Sequence, residues 1–250
     1  MPTRLIAIAA GMVLAGCSPT GSKDTYDTAT GFLTANPVLP EGVIVEDGDI
    51  VGRDGDGRPY TYALLSEPLP ALSGEMADGS IFDPASFDTW TIIDIWGIWC
   101  GDCIADAPYV SALVTAIEQD PDLTFLSIHT PANKNRTSAS EMFGKYGSVS
   151  AYFSEKGYAY PTLIDTDASI REALQISWTP SYLLVDPDGV IRGFRTDLSV
   201  AGDEPVKDFL KDVARVKAEL RKAQADTPIR HASIGPEGTM GLTGTIPFNT

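Results

Sequence analysis

The sequence is short of cysteine, histidine and positive charge. Its 250 residues include three cysteines, two histidines and 18 Lys or Arg against 34 Asp or Glu, a formal net charge of −16. So few cations exclude a nucleic-acid role, which needs a basic face to meet phosphates, and charge-driven adhesion to anionic lipid. One Cys-x-x-Cys spacing with His129 and His231 far from it does not supply the four ligands of a structural zinc site. The apolar run Leu5–Leu14 spans ten residues, too few to cross a bilayer as a helix, and no other segment is long and apolar enough to do so. Apolar material is otherwise plentiful. A composition of 43% hydrophobic and 21% charged residues is that of a globular chain, and the length suits one large domain with appendages.

Three is an odd number of cysteines, and they fall at Cys17, Cys100 and Cys103, one apart and two together. Met1–Gly16 reads as an export signal: Arg4 gives a positive start, Leu5–Leu14 the apolar stretch, and Leu14-Ala15-Gly16-Cys17 its end. That last segment resembles the bacterial lipoprotein signal, in which the cysteine is acylated after cleavage at the preceding residue. The resemblance implies lipidation at Cys17 and a location in the bacterial cell envelope, facing the periplasm, with the membrane held through that lipid. A plain signal peptide with an incidental cysteine is the other reading.

Residues 17–40, rich in Ser, Thr, Gly, Pro and Asp, read as a tether. A domain is expected over 41–225, followed by a flexible tail over 226–250. Within the domain, residues 43–65 alternate apolar runs with Asp-Gly turns and predict an N-terminal β-hairpin. Thr91–Trp96 predicts a strand buried on both faces. Ile104, Ala107, Val110, Val114 and Ile117 mark a helix over Cys100–Glu118. Leu123–His129 predicts a strand, Ser138–Lys156 helix broken at Gly144 and Gly147, and Ala168–Leu174 a short helix. Ser181–Val185 and Val190–Phe194 form a hairpin around Asp186-Pro187-Asp188-Gly189, and Glu204–Ala223 a long helix. The order predicts an α/β fold, a central mixed β-sheet flanked by helices. Asp165, Asp167, Asp186 and Asp188 read as turn residues, and His129 as packed rather than catalytic.

Trp99-Cys100-Gly101-Asp102-Cys103 lies between an expected strand and an expected helix. There, free N–H groups and the helix dipole stabilise a thiolate on the first cysteine, which is expected to face solvent, and the second can displace whatever the first attacks. A purely structural disulfide remains open in an exported protein. A peroxiredoxin-type Pro-x-x-x-Thr/Ser-x-x-Cys pattern is absent, since Ile93 and Gly97 occupy its positions.

The run Ile93-Asp94-Ile95-Trp96-Gly97-Ile98-Trp99-Cys100-Gly101-Asp102-Cys103, with Pro108 five residues on, resembles the thioredoxin active site. Tyr160-Pro161-Thr162-Leu163 and Trp178-Thr179-Pro180-Ser181-Tyr182 are similar to the TlpA/ResA branch of exported, commonly membrane-tethered thioredoxin-like proteins. The likeness covers about residues 68–223 and implies a thioredoxin-like fold. It makes Cys100 the attacking and Cys103 the resolving cysteine, with no cofactor beyond that redox pair. Thr179-Pro180 becomes a cis-proline loop facing the pair, flanked by Trp99 and Trp178, so that Trp99, Gly101, Asp102, Trp178, Thr179 and Pro180 contact the substrate, while Trp96 is core. Asp94 holds the place of a buried proton-exchanging aspartate, and Asp106 the place where the branch usually has Glu.

Two departures bear on the couple: Asp102 stands where the family often has Pro, and Ile104 where it often has Lys or Arg. Both should raise the pKa of Cys100 and favour a reducing couple. The resemblance thus implies an oxidoreductase acting on disulfides of exported proteins and re-reduced by a membrane thiol-electron donor of DsbD/CcdA type. A non-catalytic lipoprotein binding module, or an oxidase or isomerase on the same fold, are the alternatives.

Overall fold

A computed structural model describes residues 27–39, 52–84, 87–200 and 202–226. The expected signal segment, Cys17, the first part of the tether and the tail beyond residue 226 lie outside the described residues. No helix among the described residues is long and apolar enough to cross a membrane.

Five strands make one sheet: β1 (Trp90–Trp96), β2 (Leu123–His129), β3 (Thr162–Ile164), β4 (Ser181–Val185) and β5 (Ile191–Thr196), in the order β3-β2-β1-β4-β5. β1 runs parallel to β2, and β2 to β3, whereas β4 is antiparallel to both β1 and β5. β1 therefore sits at the centre, and apart from Asp94 and the terminal Trp90 and Thr91 its side chains are Ile92, Ile93, Ile95 and Trp96, all buried. Successive side chains of a strand point to opposite faces. Ile92 and Trp96 accordingly join one core cluster, with Cys100, Cys103, Val110 and Leu113, while Ile93 and Ile95 join a second, with Leu126, Leu163, Leu183 and Phe194. Asp94 shares the parity of Ile92 and Trp96, which puts it on the face that carries the cysteines.

The helices are α1 (Gly101–Ile117), α2 (Ala139–Phe143), α3 (Val149–Lys156), α4 (Ser169–Ala173) and α5 (Pro205–Asp226). α1 buries Cys103, Asp106, Ala107, Val110, Leu113, Val114 and Ile117 and carries Pro108 within it. Ile104, counted above with the apolar face, is on the outside at 37% exposed. Gly144 and Gly147 have positive φ and separate α2 from α3, as their sequence positions indicate.

Two sequence expectations change. Of the hairpin over 43–65, residues 43–51 lie outside the described residues, and the remainder makes one isolated bridge, Arg53 to Pro59, not a pair of strands. The Asp-Gly turn is real, with Asp54 accepting from the N–H groups of Asp56 and Arg58 at 2.9 and 2.8 Å, and the pairing around it, Asp54 N–H to Arg58 and Tyr60 N–H to Gly52, goes no further among the described residues. The tether reading also stops short. Residues 27–33 pack on the domain: Leu33 and Phe194 exchange backbone hydrogen bonds of 2.8 and 3.0 Å, and Phe32 is buried against Phe209 of α5. Arg215 donates to the Phe32 carbonyl at 3.0 Å, and Asp212 accepts from the Phe32 N–H. The strap covers the free edge of β5, and Gly193 makes room for it, since a Cβ there would lie 2.8 Å from the Phe32 ring. At the opposite edge, β3 is covered by residues 75–77, with Met76 bridged to Leu163.

Candidate active site

β1 ends at Trp96 and a short turn delivers Cys100 to the N-cap of α1, so the cysteine pair stands at the carboxyl end of the central parallel strand. Open α/β sheets place their sites at such ends. Gly97 permits the turn to be close, because a Cβ there would overlap the indole of Trp99. That indole donates to the Thr130 carbonyl at 2.8 Å, just past β2.

Cys100 and Cys103 form a disulfide, with Cα atoms 5.3 Å apart. The Cys100 sulfur accepts from the Cys103 N–H at 3.2 Å. A thiolate there would receive the same donor together with the positive end of α1. Cys100 is 8% and Cys103 3% exposed, so Cys100 is less open than the sequence indicates, whereas Gly101 and Asp102 beside it are exposed.

The Thr179–Pro180 bond is cis, as the resemblance implies. The Thr179 carbonyl oxygen lies 3.3 Å from the Cys100 sulfur. In the disulfide this is a contact without a proton; in the dithiol form the Cys100 thiol can donate to it. Trp178 is half-buried, with its indole N–H lacking a hydrogen-bond partner among the described residues. Gly57 approaches it so closely that a Cβ would sit 3.2 Å from its ring, and Arg53 donates to the Ser177 carbonyl at 3.5 Å. The loop over 53–58 thus walls the cis-proline side of the site.

Asp94, on the face of the sheet that carries the pair, is fully buried, and its Oδ1 has no hydrogen-bond partner among the described residues. Burial, and after it the nearby Asp106 carboxylate, pushes the Asp94 carboxyl well above the ordinary carboxylate range. Asp106 is buried too but fully occupied. Its Oδ2 accepts from the Tyr182 hydroxyl at 2.8 Å and the Leu198 N–H at 2.6 Å, and its Oδ1 from the Ser199 N–H at 2.7 Å. It ties the first turns of α1 to β4 and to the chain leaving β5. Tyr182 is also the cross-strand partner of Asp94. Sequence reasoning missed this clamp, because nothing in the spacing of Asp106, Tyr182 and Leu198 links them.

His129 is fully buried, and its Nε2 accepts from the Ile98 N–H at 3.1 Å between the rings of Trp96 and Phe143. Burial holds its pKa down to about 3, so it stays neutral and packs, as expected. Asp165, read as a turn residue, does more. It accepts from the Thr130 hydroxyl at 3.0 Å and from the N–H groups of Ile170 and Arg171 at 3.2 and 2.9 Å, so it fixes α4 against the end of β2. No group of three or more His, Cys, Asp or Glu residues suited to a metal ion occurs among the described residues.

Residues 65–212 match the Redoxin family. The chain belongs to that family. Its five-stranded mixed sheet with flanking helices is the thioredoxin-like fold. Over 128 residues it is 24% identical to the soluble secreted antigen MPT53 of Mycobacterium tuberculosis and of Mycobacterium bovis, a stretch that is 51% of this chain and 65% of those relatives. The chain therefore spans about 65% of the length of the curated relatives it matches. Among solved structures it is similar to a secreted Mycobacterium tuberculosis disulfide oxidoreductase homologous to E. coli DsbE, at 24% identity, 59% of this chain, 95% of that chain and a TM-score of 0.43. The thioredoxin domain of a thiol-disulfide oxidoreductase from Bacteroides vulgatus gives 20%, 61%, 99% and 0.46.

Proposed function

We propose that this Redoxin-family chain is an exported, lipid-anchored thiol–disulfide oxidoreductase of TlpA/ResA type that reduces disulfides of exported proteins. The observation that carries the reading is the Cys100 sulfur at the N-cap of α1, bonded to Cys103 and 3.3 Å from the Thr179 carbonyl. In the reduced form the Cys100 thiolate attacks one sulfur of the substrate disulfide. A mixed disulfide forms and the other substrate sulfur leaves as a thiolate. Asp94 takes the Cys103 proton, and the Cys103 thiolate attacks the Cys100 sulfur, expelling the second substrate thiolate. The Cys100–Cys103 disulfide is thereby made, and two electrons have passed to the substrate. A substrate segment extended along residue 179 can pair with its backbone, and Trp99 and Trp178 flank that path. Gly101 and Asp102 present the exposed edge of the site.

The reducing direction is supported by Asp102 in the first turn of α1 and by Ile104 in place of a cation, both of which disfavour the thiolate. Asp94 is the better proton acceptor, since the oxygens of Asp106 already accept three hydrogen bonds. Lipidation at Cys17 and periplasmic exposure rest on the signal-like start of the sequence. Re-reduction then calls for a membrane dithiol donor of DsbD/CcdA type.

Trapping tests the reading. Cys103→Ser should accumulate mixed disulfides with exported proteins in cells, and Cys100→Ser should not. The wild type, pre-reduced, should reduce a model protein disulfide stoichiometrically. No trapped species and no reduction would leave a binding module with a structural disulfide. A measured potential near that of strong oxidants, about −120 mV, would make the chain an oxidase.

A further inference from the structure

A cavity of about 430 Å³, lined by neither cysteine, lies along the stretch that leads into Trp178-Thr179-Pro180, and the reaction above does not use it. Its wall includes Arg171, Lys134, Asn133, Gln175 and Ser177, with one carboxylate, Glu172, beside them. Arg171 is unusual among them. Its Nε donates to the Ile176 carbonyl at 3.2 Å and its Nη1 to the Pro131 carbonyl at 3.3 Å, and its guanidinium stands 5.8 Å from the Trp99 ring centroid. Nη2 has no partner, and no carboxylate pairs with the guanidinium, among the described residues. Asp165 is near in charge, but its oxygens accept from Thr130 and from backbone N–H groups instead. The donors left over, both hydrogens of Nη2 and the second of Nη1, lie at the end of the guanidinium, where a carboxylate in the cavity could take two parallel bonds. Lys134 adds a second cation, loosely matched by Glu172 at 3.5 Å.

The position gives the site its meaning. The carbonyls that Arg171 holds belong to the turn after β2 and to the stretch leading into Trp178-Thr179-Pro180. Ser177 on the cavity wall is two residues from Thr179, so at most about 7 Å of chain separates it from the carbonyl beside Cys100. A substrate strand laid along that stretch would direct a nearby side chain into the cavity.

We propose that this cavity is a specificity subsite for a carboxylate borne close to the scissile disulfide, within about two to four residues of the attacked cysteine. The inference rests on the oxidoreductase reading and names its substrate class. Because the chain itself carries a net charge of −16, long-range repulsion works against strongly acidic partners, and the preference is for one local carboxylate in a substrate that is not acidic throughout.

The test compares two disulfide-linked peptides that differ only in Glu or Gln three residues from the cysteine, reduced by the pre-reduced full chain. The wild type should favour the Glu peptide about fivefold in kcat/KM, the size of one partly exposed ion pair. Arg171→Gln should bring that ratio to about one, Arg171→Lys should keep part of it, and Glu172→Gln should raise it. A variant that merely disturbs the loop would slow both peptides and leave the ratio alone. Glutathione disulfide serves as the second arm: an equal dependence on Arg171 would assign the carboxylate to small disulfides, and none would assign it to polypeptides. Equal rates for both peptides in the wild type, or a ratio that survives Arg171→Gln, would overturn the subsite while leaving the oxidoreductase standing. Reduction of neither peptide would overturn both.

Discussion

Asp94 is buried in the core beside the Asp106 carboxylate, with one oxygen lacking a donor among the described residues, so its carboxyl holds a proton more tightly folded than unfolded. The stability this gives is fully present below the unfolded pKa of about 3.9 and is lost as pH rises through the raised folded value, at about 1.4 kcal/mol per pH unit across that window. Asp94→Asn should remove the slope: its denaturation midpoint should change less between about pH 4 and pH 8 than that of the wild type and exceed it at the upper end. The same variant should slow resolution by Cys103 about 10²-fold, as loss of a general base does, and should lose the acid limb of the wild-type rate profile. Identical pH profiles for variant and wild type would remove Asp94 from the proton path. Asp106 belongs to a different test. Asp106→Ala leaves the Tyr182 hydroxyl and two backbone N–H groups without acceptors, and should cost about 2–5 kcal/mol in denaturant unfolding. Asp106→Asn, which keeps one acceptor oxygen, should cost less.

The turn between β1 and α1 is where local chemistry and global packing meet. Gly97→Ala should force the Trp99 ring away from Thr130 and loosen Cys100, giving at least a tenfold slower exchange with little change in helix content by circular dichroism. The elements legible in the sequence were those whose pattern is local. The apolar run of β1, the α1 spacing and the Asp186–Gly189 turn fall within a residue or two of their observed limits. β3 was not legible, because three residues, Thr162–Ile164, are too few to show a period. The strap at residues 27–33 is not legible in the sequence because its two large apolar residues, Phe32 and Leu33, stand in a polar stretch and gain meaning only against α5 and β5. The site divides the same way. The cysteine pair and Thr179–Pro180 are contiguous motifs, whereas the Asp106 clamp and the Arg171 wall join residues that only folding brings together. Phe32→Ala should lower stability by about 3 kcal/mol or more, as large-to-small changes in a packed core do.

At the scale of the whole molecule, acidity and the proposed lipid attachment would act together. With a net charge of −16, the chain should meet basic polypeptide disulfides faster at low salt, and the rate should fall as the ionic strength is raised from about 0.01 to 1 M, over which the screening length shrinks from about 30 to 3 Å. Stopped-flow reduction of a basic protein disulfide across that range would check it; a salt-independent rate would assign no part to the overall field. The strap has a consequence of its own for position. Cys17 and Asp27 are ten residues apart, and ten residues reach at most about 35 Å. Were a lipid attached at Cys17, as proposed, Asp27 could lie no farther than that from the bilayer surface. An oxidoreductase so moored would meet only disulfides that pass close to the membrane, and lengthening the line by inserted Gly-Ser residues before Asp27 should widen the set it can reach.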